Sequence, residues 1–142
     1  SAKGEIFFWF FPPRDGNPKA PLILWLQGGP GGSGIQDGLL FIHGPLQLVD
    51  GKLVERKTSW NNHFAMLYVD QPVGTGYSFT SNVSDLATYA SSEEDVAEMM
   101  HAFLLRFYDD KKLWPRSNPL FVTGESYGGH YCPAIASMIM TM

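Results

Sequence analysis

The sequence of 142 residues predicts an α/β fold with a mostly parallel sheet. Short apolar runs, each about as long as a buried strand, occur at 22–26, 64–70 and 120–123. Glycine-rich loops and an amphipathic helix separate these runs, in the order strand, crossover, strand, helix, strand, helix. That order is typical of a parallel sheet with right-handed crossovers.

The first elements are predicted from aromatic residues and turn signals. An aromatic run over 5–11 indicates a strand, and the prolines and glycine of 12–18 end it as a turn. The run Leu22–Leu26 is apolar throughout, which is typical of a strand buried on both faces. It leads into a glycine-rich loop over 27–34, and a segment of mixed character follows that loop.

The second half begins with a hairpin turn predicted at 50–51, where Asp precedes Gly. The run 64–70 predicts a third buried strand. Serines at 91–92 precede three acidic residues, a favourable helix start, and apolar residues then recur at helical spacing over 96–107. A last strand and helix are predicted over 120–140.

Composition indicates a folded domain and argues against several classes of partner. Hydrophobic residues make up 44% of the chain and charged residues 17%, which favours a buried core over disorder. The net charge of −4 gives no basic surface for nucleic acid, and no apolar run is long enough to span a bilayer. No pair of histidines has metal-ligand spacing, so we expect neither a metal nor another cofactor.

The strongest motif, GESYG at 124–128, lies where the predicted last strand gives way to a helix. Gly-x-Ser-x-Gly in that setting is the nucleophile elbow of an α/β-hydrolase, in which a strained turn exposes the serine hydroxyl. Ser126 is therefore the predicted nucleophile, and the Tyr127 N–H is aimed at an oxyanion. The alternative is a glycine-rich loop with a chance serine, but the flanking strand and helix favour a partial α/β-hydrolase fold, the half of the sheet that carries the elbow.

The glycine-rich loop 27–34 is the predicted source of a second oxyanion donor. It holds five glycines around a proline and follows a buried strand directly, as the oxyanion loop of this fold does. Phosphate binding is the alternative reading, but the loop lacks both the P-loop and the dinucleotide-binding patterns.

Three motifs together resemble the serine carboxypeptidase family: WLQGGPGGS at 25–33, VDQPVGTGYSF at 69–79 and GESYGGHY at 124–131. Because it contains Gln27 and Gly32, the first motif is most similar to those of the vitellogenic-like and retinoid-inducible branches of the family. The resemblance extends from about residue 7 to the end of the chain. It implies a serine-type carboxypeptidase that hydrolyses C-terminal residues of peptides through an acyl-enzyme on Ser126.

The resemblance also implies roles for individual residues. The N–H groups of Gly29 and Tyr127 would form the oxyanion hole. Gln27 and the Gly28 N–H would bind the C-terminal carboxylate of a peptide. Glu125 would be a further member of that subsite. Because a carboxyl group can donate a hydrogen bond to a carboxylate only when neutral, this arrangement favours acidic pH.

Trp25 would support the carboxylate subsite. The sequence departs from the family pattern at one position of this subsite. The family often has a second acid just before the Gly-Pro that matches 44–45, but here the stretch 41–43 reads Phe-Ile-His. The sequence therefore does not support a version of carboxylate recognition with two paired acids. Gly32 also stands where many members have a disulfide cysteine.

The rest of a catalytic triad is not evident after the serine. In this fold the acid and the histidine follow Ser126, yet no Asp or Glu occurs after it. His130 is four positions along the same helix, poorly placed as a base, and we expect it to pack or hydrogen-bond inside the helix interface. We therefore expect 1–142 to be a partial domain, an internal fragment that hydrolyses little by itself.

Two other functions stay open from the sequence alone. The same scaffold could transfer an acyl group to an alcohol, or the chain could be a truncated, non-catalytic product that binds peptide termini. The resemblance implies a secretory-pathway protein, lysosomal, vacuolar or extracellular, that could form a homodimer when complete. The sequon at Asn82 gives weak support to that route.

Overall fold

The computed structural model describes residues 4–110 and 113–141, and a four-stranded sheet lies at the centre of the molecule. The six strands found are β1 (Phe8–Phe11), β2 (Leu22–Leu26), β3 (Leu46–Val49), β4 (Lys52–Glu55), β5 (Ala65–Val69) and β6 (Leu120–Gly124). The central sheet has the order β1-β5-β2-β6. Strand β2 is parallel to β5 and to β6, whereas β1 is antiparallel to β5. The predicted α/β fold with a mostly parallel sheet is therefore confirmed.

Helices cover both faces of this sheet. Helix α1 (Glu93–Asp109) and helix α2 (Gly128–Thr141) pack with the larger apolar cluster, which includes alternate residues of β2 and β5. The other residues of those strands face a smaller cluster beneath a π-type helix, Gly34–His43. Because successive strand residues point to opposite faces, both faces of β2 and β5 are buried, as their uninterrupted apolar sequence predicted. No helix in 4–110 or 113–141 is long and apolar enough to cross a bilayer.

The π-type helix was not predicted, because its glycines read as loop signals. Those glycines are required by packing: a Cβ on Gly34 would lie 2.3 Å from the Val69 carbonyl oxygen, and one on Gly38 would lie 2.3 Å from the Trp25 indole. The Arg56 guanidinium stabilises the end of the helix by donating to the Leu40 carbonyl at 2.6 Å and the Gly44 carbonyl at 3.0 Å. These partners come from distant segments, so local patterning could not reveal the helix.

The predicted hairpin is also present, and it is formed by β3 and β4. Asp50 and Gly51 occupy its turn with φ of 50° and 74°. This is the left-handed region that an Asp-Gly pair tolerates in a tight hairpin turn.

Candidate active site

The strand-to-helix turn has the geometry expected of a nucleophile elbow. β6 ends at Gly124, α2 begins at Gly128, and Ser126 between them has φ of 55°, a strained value for a residue with a Cβ. A Cβ on Gly124 or on Gly128 would lie 2.7 Å from the Leu26 carbonyl oxygen. The turn therefore packs closely on the end of β2, and Ser126 is exposed above the sheet.

The glycine-rich loop contacts this turn directly. A Cβ on Gly28 would lie 2.6 Å from the Tyr127 nitrogen and 2.8 Å from the Ser126 Cβ. Gly29 has φ of 117°, a conformation that residues with side chains rarely adopt. The structure thus brings together the two main-chain segments to which the sequence assigned the oxyanion donors.

Two tyrosines, Tyr127 of the elbow and Tyr131 of α2, contact neighbouring elements of the site. The Tyr127 hydroxyl donates a 2.6 Å hydrogen bond to Glu93 at the start of α1, and this bond raises the pKa of Tyr127. Burial raises the pKa of Tyr131, which lies on α2 next to Gly31 of the glycine-rich loop. The glycine-rich loop and the α1 N-terminus are therefore both anchored next to Ser126.

Three of the predicted binding residues form one hydrogen-bonded chain. The Trp25 indole N–H donates to Gln27 Oε1 at 3.1 Å, and Gln27 Nε2 donates to Glu125 Oε2 at 2.9 Å. Gln27 and Glu125 are 98 positions apart, and they meet because β2 and β6 are neighbouring parallel strands. Glu125 is exposed beside Ser126, so the end of this chain is open to a ligand.

His43 is part of the surroundings of this chain, although the sequence suggested no role for it. Its ring is 5% exposed, stacks on Trp60 at 4.0 Å and lies edge-on to Trp25 at 4.2 Å. Its Nδ1 lies 2.9 Å from the Tyr68 hydroxyl oxygen. Burial lowers the pKa of His43 to about 4. The only sequence signal was its position in the stretch 41–43, where the family pattern was interrupted.

Asp70 is a second residue whose role the sequence did not suggest. It is fully buried at the end of β5 and accepts hydrogen bonds from the Ser33 hydroxyl at 2.6 Å, the Ile35 N–H at 3.2 Å and the Tyr77 N–H at 2.9 Å. Asp70 therefore joins the loop after β2 to the loop after β5. An acid directly after an apolar strand and before a glycine-rich loop could have indicated this role.

None of the histidines in 4–110 and 113–141 hydrogen-bonds to Ser126. His43 is buried beside Tyr68, and His63 pairs with Asp15 at 3.2 Å. His130 is exposed and lies against the Tyr127 ring at 4.6 Å, so the expectation that it packs inside the helix interface is wrong. Its position one turn beyond Ser126 leaves it facing solvent.

Comparisons with known proteins agree with this geometry. A family model described as serine carboxypeptidase matches residues 1–142. The human protein named probable serine carboxypeptidase CPVL is 44% identical over 141 residues, 97% of this chain and 28% of that protein. The venom serine carboxypeptidase of Apis mellifera is 43% identical over 95% of this chain and 28% of its own length. The vitellogenic carboxypeptidase of Aedes aegypti is 38% identical over 95% of this chain.

The fold of this chain is also similar to that of a solved structure. KEX1(delta)p, a prohormone-processing carboxypeptidase from Saccharomyces cerevisiae, matches with a TM-score of 0.86 and 36% identity, over 97% of this chain and 30% of that one. The match confirms the α/β-hydrolase prediction. The chain spans little more than a quarter of the length of the curated relatives it matches, 28% for the human protein.

Proposed function

Because this chain belongs to the serine carboxypeptidase family, we propose that the whole protein removes C-terminal residues from peptides through an acyl-enzyme on Ser126. The observation that carries the proposal is the contact between the glycine-rich loop and the elbow. A Cβ on Gly28 would lie 2.6 Å from the Tyr127 nitrogen, so two main-chain segments converge beside one exposed serine. Such convergence is what a tetrahedral acyl-transfer intermediate requires.

In the proposed mechanism, Ser126 Oγ attacks the carbonyl carbon of the last peptide bond. The carbonyl oxygen then becomes an oxyanion and is stabilised by the N–H groups of Gly29 and Tyr127, each donor contributing about 10²-fold to 10³-fold in rate. The attack needs a base to take the hydroxyl proton, because a neutral serine is a weak nucleophile. The proton then passes to the nitrogen of the breaking peptide bond, the C-terminal amino acid leaves, and water hydrolyses the acyl-enzyme to free Ser126. No histidine in the described ranges fills that role, so we propose that other parts of the whole protein supply the histidine and its acid.

The proposed carboxylate subsite consists of Gln27, Glu125 and the Gly28 N–H, with Trp25 as support. Gln27 Nε2 and the Gly28 N–H are neutral donors suited to a peptide C-terminus. Glu125 can join them as a donor only while it carries a proton, since two carboxylates in contact repel each other. We therefore expect peptides with a free C-terminus to bind more tightly at acidic pH.

The test compares the whole protein with its Ser126→Ala variant on an N-blocked dipeptide with a free carboxylate and on its C-terminal amide. We expect hydrolysis of the free acid, release of the C-terminal amino acid, and loss of at least about 10³-fold in rate on Ser126→Ala. Residues 1–142 alone should hydrolyse neither substrate at a measurable rate. Full activity of Ser126→Ala, or transfer to an added alcohol in preference to water, would contradict the proposal.

We also propose passage through the secretory pathway, with an N-linked glycan on Asn82. One relative is a venom protein by name, and Asn82 is exposed in the loop before the short helical turn Leu86–Thr88. Sequons that carry glycans occur on exposed loops of secreted proteins. Glycosidase treatment of protein from a eukaryotic host should lower its mass, and Asn82→Gln should remove that change. An unchanged mass would contradict the glycan.

A further inference from the structure

The Trp25 indole, which donates to Gln27, is confined on several sides. A Cβ on Gly38 would lie 2.3 Å from the indole nitrogen, so the π-type helix packs directly on the edge that carries the N–H. The His43 ring lies edge-on to the indole at 4.2 Å and an interplanar angle of 84°, and Trp60 lies edge-on at 5.7 Å and 88°. We call Gly38, His43 and Trp60 the indole clamp.

His43 is itself held in one orientation. It is 5% exposed, it stacks on Trp60 with an interplanar angle of 8°, and its Nδ1 lies 2.9 Å from the Tyr68 hydroxyl oxygen. Burial lowers the pKa of His43 and raises that of Tyr68, so both groups are neutral at ordinary pH. Arg56 and Glu125 are the charged groups whose fields reach His43. The stacked rings of His43 and Trp60 are therefore the fixed, uncharged aromatic part of the clamp.

The orientation of the indole decides the orientation of the Gln27 amide. An indole N–H can only donate, so it must face Gln27 Oε1, and Gln27 Nε2 is then left to face Glu125 at 2.9 Å. If the indole rotated away, the amide could turn over. The Gln27 amide oxygen would then face Glu125 and the carboxylate of an arriving peptide. Neither group would receive a hydrogen bond from Gln27 Nε2.

We propose that His43 and Trp60 are positioning residues for recognition of a free C-terminal carboxylate. They act through Trp25, whose N–H selects the productive orientation of Gln27. This inference rests on the proposed carboxylate subsite and adds to it a specificity determinant that lies outside the binding residues themselves.

The test uses the whole protein and measures KM and kcat separately for the free-acid dipeptide and for an N-blocked amino acid ester that lacks a C-terminal carboxylate. His43→Leu and Trp60→Leu should each raise KM for the free acid about tenfold, with kcat and ester hydrolysis unchanged. His43→Phe keeps a flat ring and should retain the wild-type preference. Trp60 is 42% exposed, so Trp60→Leu keeps the test valid if a change at buried His43 prevents folding.

A double-mutant cycle checks that the effect passes through Trp25. Trp25→Phe removes the indole N–H, and adding His43→Leu to it should cause no further loss of preference, because the two changes break the same contact. Retained preference in His43→Leu and Trp60→Leu, alongside loss in Trp25→Phe, would overturn the inference and leave the carboxylate subsite intact.

A second readout does not depend on activity. Solvent exchange of the Trp25 indole N–H, followed by nuclear magnetic resonance, should be slow in the wild type and at least about tenfold faster in His43→Leu. Unchanged exchange would overturn the clamp even if the protein proved to have no hydrolase activity. Absence of Ser126-dependent hydrolysis together with faster exchange would instead contradict only the proposed function.

Discussion

Gly28 has no side chain, and this lets the main chain of the glycine-rich loop lie close to the elbow beside Ser126. Any side chain at position 28 would meet the Tyr127 nitrogen at 2.6 Å and the Glu125 carbonyl oxygen at 2.7 Å, both atoms of the backbone. Backbone atoms cannot move aside as the end of a flexible side chain can. The spacing between the glycine-rich loop and the elbow therefore depends on the absence of one methyl group.

The first prediction concerns Gly28→Ala. The added Cβ should force the loop away from the elbow, lowering kcat of the whole protein at least about 10²-fold, because the proposed oxyanion donor at Gly29 would be displaced. Steady-state hydrolysis of the free-acid dipeptide measures the effect. Gly129→Ala is the matched control: no atom lies within 4 Å of a Cβ at that helical position, and alanine should stabilise α2 by about 0.5–1 kcal/mol. Equal activity of the two variants would contradict the close packing.

The second prediction concerns His43 and acid stability. The His43 pKa is lowered from 6.5 to about 4, so the unfolded chain takes up a proton before the folded chain does as pH falls. The contribution of His43 to the free energy of unfolding should therefore be fully present above pH 6.5. It should fall by about 3 kcal/mol as the pH is lowered from 6.5 to 4. Denaturant unfolding across this range, compared with the double variant His43→Phe/Tyr68→Phe, isolates the contribution.

In that double variant, neither partner of the 2.9 Å contact is left with an unpaired polar group, and the His43 contribution should vanish. His101→Gln on α1 serves as the control, because it removes a histidine that lies outside the contact between His43 and Tyr68. Identical pH dependence in all three proteins would show that His43 is not the group responsible.

The sequence allowed Ser126, Gln27 and Glu125 to be singled out, because each lies within a recognisable motif. Asp70 lies within the 69–79 motif and His43 lies outside all three motifs, and neither was assigned a role. Their roles depend on partners more than twenty positions away, such as Tyr68 for His43 and Ser33 for Asp70. Pairings of this kind are fixed by how β2 and β5 lie side by side.

At the scale of the elements, helix α1 carries the start signal that the sequence predicted. Ser92 has extended backbone, and its hydroxyl accepts from the Asp95 N–H at 3.1 Å. Asp95 in turn accepts from the Ser91 N–H and hydroxyl, each at 2.8 Å. This reciprocal capping fixes where α1 begins, and therefore where Glu93 meets Tyr127.

The third prediction is that Ser92→Ala lowers the free energy of unfolding by about 1 kcal/mol, because it leaves a helix N–H without its capping acceptor. Chemical denaturation of the purified protein measures the change. Ser137→Ala, at an exposed position within α2, is the control and should change stability by less than about 0.5 kcal/mol. A loss at position 137 equal to that at position 92 would contradict the capping role.

Most elements could be predicted because their signals are local. β2 was predicted with its observed bounds, and the strands predicted over 64–70 and 5–11 are present but shorter, as Ala65–Val69 and Phe8–Phe11. The helix Gly34–His43 could not be predicted. Its glycines are needed for contact with β2 and β5, and its stabilising arginine lies in a later segment, after β4.

At the scale of the whole molecule, the central sheet has two outer strands, β1 and β6. In the part of the chain that the structure describes, β6 pairs only with β2, and Phe121 on it is 54% exposed. A strand with one unpaired edge and an exposed aromatic residue is a template for pairing with another chain.

The fourth prediction is that residues 1–142 alone self-associate and that Phe121→Lys reduces this association, because a charge on an outer strand opposes pairing. Sedimentation velocity across a concentration series measures it. Leu86→Lys is the matched control: Leu86 is 80% exposed but lies in a short helical turn away from the sheet, so its replacement should have a smaller effect. A sharp, reversible thermal transition of a monomer would contradict the prediction.

The most direct test of the account is covalent labelling of the whole protein with a fluorophosphonate, followed by mass spectrometry of its peptides. We predict one adduct per molecule, located on Ser126, and none in Ser126→Ala, because the exposed hydroxyl and the two adjacent main-chain amides should together favour attack on phosphorus. An adduct on a different residue, or undiminished labelling of Ser126→Ala, would contradict the assignment of this turn as the catalytic centre.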